Sequence, residues 1–207
     1  MPLILKHKTP EGAEWAAWQI AEPEEALRQA IAMPNSLVDE GLEAIRVEQR
    51  RLEWLACRLA LQALGPEEVG PQRLLKGENG KPFLHELPLQ VSLSHAWPYA
   101  VAIIHHKPVG IDIEVPRHQL NRIQHKFVND TELVSWNKGV TDLCQLWTAK
   151  EALYKAHGKA GIIFSSEMMV SPLAEGATEQ MAKGYVQEQE FTLRWHQFEN
   201  HYCCLAL

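Results

Sequence analysis

Val109-Gly110-Ile111-Asp112-Ile113-Glu114 alternates apolar and acidic residues behind a glycine. Alternate residues of a strand share a face, so Asp112 and Glu114 project together while Ile111 and Ile113 turn the other way. Gly110 leaves room for a close backbone approach. A second stretch, Trp147-Thr148-Ala149-Lys150-Glu151-Ala152-Leu153-Tyr154-Lys155, falls in a helix expected over 140–157 and stopped by Gly158. Leu146, Trp147 and Leu153 would anchor that helix, leaving Lys150, Glu151 and Lys155 on a polar face. Two carboxylates among apolar residues repel unless a charge offsets them. A divalent cation does this, and an all-oxygen ligand set favours Mg²⁺. If strand and helix meet, Glu151 is a third ligand, and Lys150 and Lys155 lie near any phosphate on the metal. Each motif taken alone also has a plainer reading. D-x-E fits an exposed strand of alternating polarity, and Glu151 with Lys155 fits a surface i,i+4 pair worth about 0.2–0.5 kcal/mol.

The chain has 207 residues, 46% hydrophobic and 22% charged, which suits one large domain or two small ones sharing a core. The net charge of -6 supplies no global basic field for nucleic acid, so an anion site must be a local basic cluster. No stretch approaches the roughly 20 apolar residues of a membrane span, so no membrane partner is expected. The start, Met1-Pro2-Leu3-Ile4-Leu5-Lys6, reads as a short strand and not as a secretory signal. Cys57, Cys144, Cys203 and Cys204 form no C-x-x-C pair and read as reduced thiols of a cytoplasmic protein.

Further strands are expected over 2–9, 13–21, 74–76, 91–95 and 99–105, and near 162–164, 168–170, 184–187, 190–196 and 202–207. Helices are expected over 24–32, 39–64 with a break near Arg46, and 129–134. Gly65-Pro66 stops the second of these, and Glu78-Asn79-Gly80-Lys81-Pro82 reads as a turn. Trp54-Leu55-Ala56 and Trp147-Thr148-Ala149 share a W-x-A spacing in comparable helices, and Tyr99 and Tyr202 sit in the strand pairs that close each half. These matches suggest a duplication, with subdomains 1–107 and 108–207 meeting at a hinge at Lys107-Pro108.

Ser94-His95 at a strand end suits either a structural role or a phosphate held by a hydroxyl and a ring N–H. Lys81 reads as a solvated turn lysine or a phosphate contact. Arg50, Arg51 and Arg58 read as a solvated helix face or as a fork for a terminal phosphate. No Ser/Cys–His signature, G-x-G-x-x-G, P-loop or H-E-x-x-H is present.

The D-x-E strand followed by W-x-x-K-E-A-x-x-K resembles the 4'-phosphopantetheinyl transferase superfamily. Gly80-Lys81-Pro82, Leu93-Ser94-His95 and the helix Arg51-Leu52-Glu53-Trp54-Leu55-Ala56-Cys57-Arg58 extend the resemblance over roughly residues 46–165. Cys57 departs from it, standing where a glycine is common. The resemblance implies a mixed α+β fold of two similar subdomains, each a small antiparallel sheet packed on a long helix, of the larger, monomeric, synthetase-activating type. It implies that Asp112, Glu114 and Glu151 ligate Mg²⁺ and that Lys150 and Lys155 face the pyrophosphate of coenzyme A. Ser94, His95, Lys81 and Arg51 (or Arg50) would contact its phosphates. A serine of an apo acyl or peptidyl carrier protein would attack the β-phosphorus of coenzyme A and release 3',5'-ADP. Glu151, or a metal-bound water near it, would take the proton. The stretch 115–130, with Arg117, His118, Arg122, His125 and Lys126, reads as a docking patch for an acidic carrier or as a plain surface loop. The competing readings are another Mg-dependent phosphohydrolase or nucleotidyl transferase using the same carboxylates, and a non-catalytic binding protein.

Overall fold

Leu52, Leu55, Ala56 and Leu59 recur at helical spacing and are buried, so the helix that carries them lays one face on a sheet. The computed structural model describes residues 2–65, 69–77, 80–136, 139–173 and 180–207. It divides into two compact units, Met1–Lys107 and Pro108–Leu207.

In the first unit, β1 (Leu3–Lys8), β2 (Glu14–Gln19), β5 (Gln90–Ala96) and β6 (Tyr99–His105) form an antiparallel sheet in the order β1-β2-β6-β5. A separate hairpin pairs β3 (Leu74–Lys76) with β4 (Pro82–Leu84). α1 (Glu24–Ala30) and α2 (Asn35–Glu43) precede the long α3 (Glu48–Gln62), which covers the sheet. The break expected near Arg46 is present: α2 and α3 are separate helices, with residues 44–47 between them. Arg51 explains the stability of the break. Its guanidinium donates to the carbonyls of Leu42 and Ile45, at the end of α2, and forks onto Glu24 of α1. That fork holds the Glu24 carboxyl down at about 2.

The second unit is built the same way. β7 (Gly110–Glu114), β8 (Met168–Val170), β9 (Met181–Val186), β10 (Gln189–Phe198) and β11 (His201–Ala206) form an antiparallel sheet in the order β7-β11-β10-β9-β8. α4 (Gln119–Ile123) and α5 (Asp130–Trp136) lead to α6 (Val140–His157), which packs across β7, β11 and β9. Gly158 closes α6 at φ +74, a left-handed conformation that glycine adopts without strain, and its N–H caps Tyr154 O. The mixed α+β class and the sheet-on-long-helix plan are as expected.

Two local expectations fail. Residues 162–164 are not a strand; α7 (Phe164–Glu167) forms there. The Glu167 carboxylate accepts the Ile163 N–H at 2.7 Å, and the Phe164 ring packs against Trp147 and Tyr154, contacts available only in the folded unit. β4 occupies part of the segment read simply as a turn. Pro66, Glu78 and Asn79, which carried two of the expected breaks, lie outside the described residues. Among the described residues no helix is long and apolar enough to cross a membrane.

Gly110 decides how close β7 comes to α6. A Cβ there would sit 1.9 Å from Ala152 O and 2.7 Å from Ala156 N, backbone atoms that cannot swing aside. Gly110→Ala is expected to lower the melting temperature by roughly 5 °C, read by circular dichroism. An unchanged melt would show that the strand and helix do not depend on this contact.

Candidate functional site

Positions 147, 151 and 155 of α6 follow at i, i+4 and i+8 and so line one face of the helix. That face meets the carboxylates of β7. Lys155 Nζ donates to Asp112 Oδ1 at 2.7 Å and to Ile111 O at 3.1 Å. Trp147 Nε1 donates to Glu114 Oε1 at 3.2 Å, while Arg117 donates to Glu114 Oε2 at 2.6 Å. Glu151 therefore stands between two side chains of α6 that each hold one acid of the strand. Among the described residues its own carboxylate makes no hydrogen bond or ion pair.

The acids feel one another. Burial pushes the Glu151 carboxyl up to about 7; Asp112 and Glu114 push it further, and Lys155 opposes them. Burial and then Asp112 raise Glu114, against Arg117, Trp147 and Lys155. Mutual repulsion of this kind marks a site able to take a cation, and the donor set is all oxygen, which fits Mg²⁺ chemically. As the side chains stand, however, no group of three His, Cys, Asp or Glu among the described residues is arranged to hold a metal ion. Lys155 and Arg117 supply the positive charge instead.

Lys150 needs a correction. It lies one residue off the 147–151–155 face and its side chain is 0% exposed. Its ammonium is 2.7 Å from Glu132 Oε2 and donates to the carbonyls of Phe127, Phe164 and Met168. An ammonium has three donors, and these acceptors occupy them. The helix turn puts it in the core, so it is not part of the polar face expected from the sequence.

The first unit holds a cavity of about 540 Å³ whose polar lining is Arg46, Arg50, Arg58, Lys76, Ser94 and His95. Arg58 stacks over Trp54, its guanidinium carbon 3.2 Å from the ring centroid, and burial lowers it to about 10. His95 Nδ1 lies 3.2 Å from Glu53 Oε2, a carboxylate only 4% exposed. Glu53 is further held by Gln49 at 2.9 Å. Ser94 and His95 thus come together with the basic helix face. Arg51 does not, and this is a second correction: its fork is taken up by Glu24, and Arg50 lines the cavity in its place. Gly80 and Pro82 line the cavity, and Lys81 between them does not.

Residues 108–206 match the model of the 4'-phosphopantetheinyl transferase superfamily. Just under half of the chain thus resembles that superfamily. The chain is 35% identical over 89 residues to 4'-phosphopantetheinyl transferase gsp of Aneurinibacillus migulanus, covering 41% of this chain and 37% of that protein. It is 32% identical over 88 residues to the 4'-phosphopantetheinyl transferase of Bacillus subtilis, covering 40% of this chain and 39% of that protein. The matches thus span under two-fifths of each relative. The superfamily match covers the unit in which the two acidic strand residues and the α6 face meet.

Sequence reasoning missed Glu132, Glu53, Arg46 and Trp54. Glu53 is displaced by one helical turn from Arg50 and Cys57, so a helical wheel could have placed it beside them. Nothing in the sequence marks Glu132 as the partner of a lysine eighteen positions on.

The Glu151 carboxyl titrates near 4.5 in the unfolded chain and near 7 in the folded one, so the folded chain holds the extra proton between those values. The stability this contributes is full below the lower value and is lost as pH rises through the upper one. Glu151→Gln mimics the neutral form. The variant is expected to melt above the parent at about pH 8 without metal, the gap closing as pH falls toward about 4.5. Thermal melts across that range check this, and a gap independent of pH would refute the shift.

Proposed function

We propose that this chain transfers the 4'-phosphopantetheine group of coenzyme A to a serine of an apo carrier protein. The single observation that carries the reading is the meeting of both motifs in one unit, with Lys155 on Asp112 and Trp147 on Glu114. The superfamily match over the same unit supports it.

Asp112, Glu114 and Glu151 would hold Mg²⁺, Lys155 and Arg117 yielding their carboxylates to it. The bound ion would neutralise pyrophosphate charge as the bond to the leaving group breaks. Glu151, or a water on the bound ion near it, would take the serine hydroxyl proton. The serine oxygen forms a bond to the β-phosphorus, and the bond to 3',5'-ADP breaks. Lys155 is placed to steady that leaving phosphate or to return a proton to it. Within the first unit, the cavity lined by Arg50, Ser94 and His95 would suit a phosphate group, with Glu53 beside His95 Nδ1.

The stretch 115–129 carries Arg117, His118, Arg122, His125 and Lys126 and no acidic residue, in a chain of net charge -6. These five are exposed around α4, which suits an acidic carrier protein. The four free, buried cysteines suit a reducing compartment such as the cytoplasm.

Incubation with coenzyme A, Mg²⁺ and a panel of apo carrier proteins is expected to add the mass of one phosphopantetheine to at least one carrier. No gain across the panel, with phosphate or pyrophosphate released from nucleotides instead, would favour a phosphohydrolase or nucleotidyl transferase. Asp112→Ala is expected to cut kcat/KM about 100-fold or more while the chain stays folded. Arg50→Ala is expected to raise the KM for coenzyme A about 10-fold with kcat little changed. Arg51→Ala is expected to lower the melting temperature instead, because it removes the fork that ties Glu24 of α1 to the carbonyls ending α2.

A further inference from the structure

Lys150 and Glu132 form an ion pair with side chains 0% and 1% exposed. Lys150 Nζ reaches Glu132 Oε2 at 2.7 Å, Phe127 O at 2.6 Å, Phe164 O at 2.9 Å and Met168 O at 3.2 Å. Glu132 Oε1 accepts the Val170 N–H at 2.8 Å, and Oε2 accepts the Asn129 N–H at 3.0 Å. Asn129 adds a bond from its side-chain amide to Met168 O and accepts the Glu132 N–H. Among the described residues β8 is the last strand of its sheet, so Met168 O and Val170 N have no further strand there to pair with. The ion pair supplies their partners.

Burying two charges is costly, and an apolar pair of similar volume is often as stable or more so. Stability alone therefore gives a weak reason for the pair. Its distinctive consequence is geometric. One turn of α6 is tied to the segment ending in Phe127, to the start of α5, to α7 and to β8. Lys150 is the immediate neighbour of Glu151, so these bonds hold the rotation of α6 about its axis at the point where Glu151 leaves it.

We propose that Glu132 and Lys150 form a positioning clamp that sets the orientation of Glu151, with Lys150 itself never touching the substrate. This rests on the role proposed above for Glu151. Supporting groups of this kind typically change metal affinity or activity 10–100-fold when removed.

The test compares the full chain with Glu132→Gln, Lys150→Met and the double variant. The readouts are thermal melts, Mg²⁺ affinity by calorimetry, and kcat and coenzyme A KM. Each single variant leaves one buried charge unpaired and is expected to lower the melting temperature by on the order of 10 °C. The double variant, with neither charge, is expected to regain at least half of that loss. Its Mg²⁺ affinity and kcat are expected to stay about 10-fold or more below the parent, with coenzyme A KM within about twofold. Recovery of Mg²⁺ affinity and kcat along with the melt would make the pair merely structural and overturn the clamp. So would a coenzyme A KM that rises about 10-fold in Lys150→Met and stays raised in the double variant, the mark of a phosphate contact. If the parent binds Mg²⁺ but modifies no carrier, the transferase reading falls while the Mg²⁺ affinities still decide the clamp. A parent that binds no Mg²⁺ overturns both.

Discussion

The close approach of β7 to α6 at Gly110 governs the geometry of the second unit. With no side chain on Gly110, and Ala152 and Ala156 opposite it, strand and helix backbones come nearer than any larger residue would permit. Asp112 and Glu114 follow Gly110 on the same face of the strand. They are therefore delivered to the helix face carrying Trp147, Glu151 and Lys155. The bonds from Lys155 to Asp112 and from Trp147 to Glu114 are short because the backbones are close. A larger residue at 110 would separate both pairs at once.

Charge balance at this face follows from that proximity. Three carboxylates share a partly buried space with Lys155 and Arg117, and the acids raise one another where the cations do not reach. Glu151 carries most of the imbalance. In this arrangement a lysine occupies the place where positive charge is needed, which makes Asp112 a shared partner of protein and proposed metal. Exchange of one cation for another is a smaller electrostatic change than creation of a site from separated groups.

The first unit shows how neighbours in sequence divide between structure and surface. Arg51 is consumed by Glu24 and by the carbonyls that end α2, whereas Arg50, about 100° around α3, lines the cavity. His95 is backed by Glu53, which lies 3.2 Å from its Nδ1, and the residue lines the cavity.

Periodicity alone was enough for most elements. The 2-residue alternation of Val109–Glu114, the helical spacing of 140–157 and its glycine stop predicted β7 and α6 within a residue, because side-chain period is a local property. It also paired Asp112 with Glu114, and Glu151 with Lys155, on their respective faces. Local pattern could not tell that Lys150 turns inward, since its burial is decided by Glu132 and by three carbonyls from segments far along the chain. Nor could it separate Arg50 from Arg51, or predict that 162–164 would yield to α7. Residue types and spacings determined which groups carry charge and which share a face. Only the folded chain decided which charges are neutralised internally and which face an open site, because that depends on partners that sequence distance does not encode.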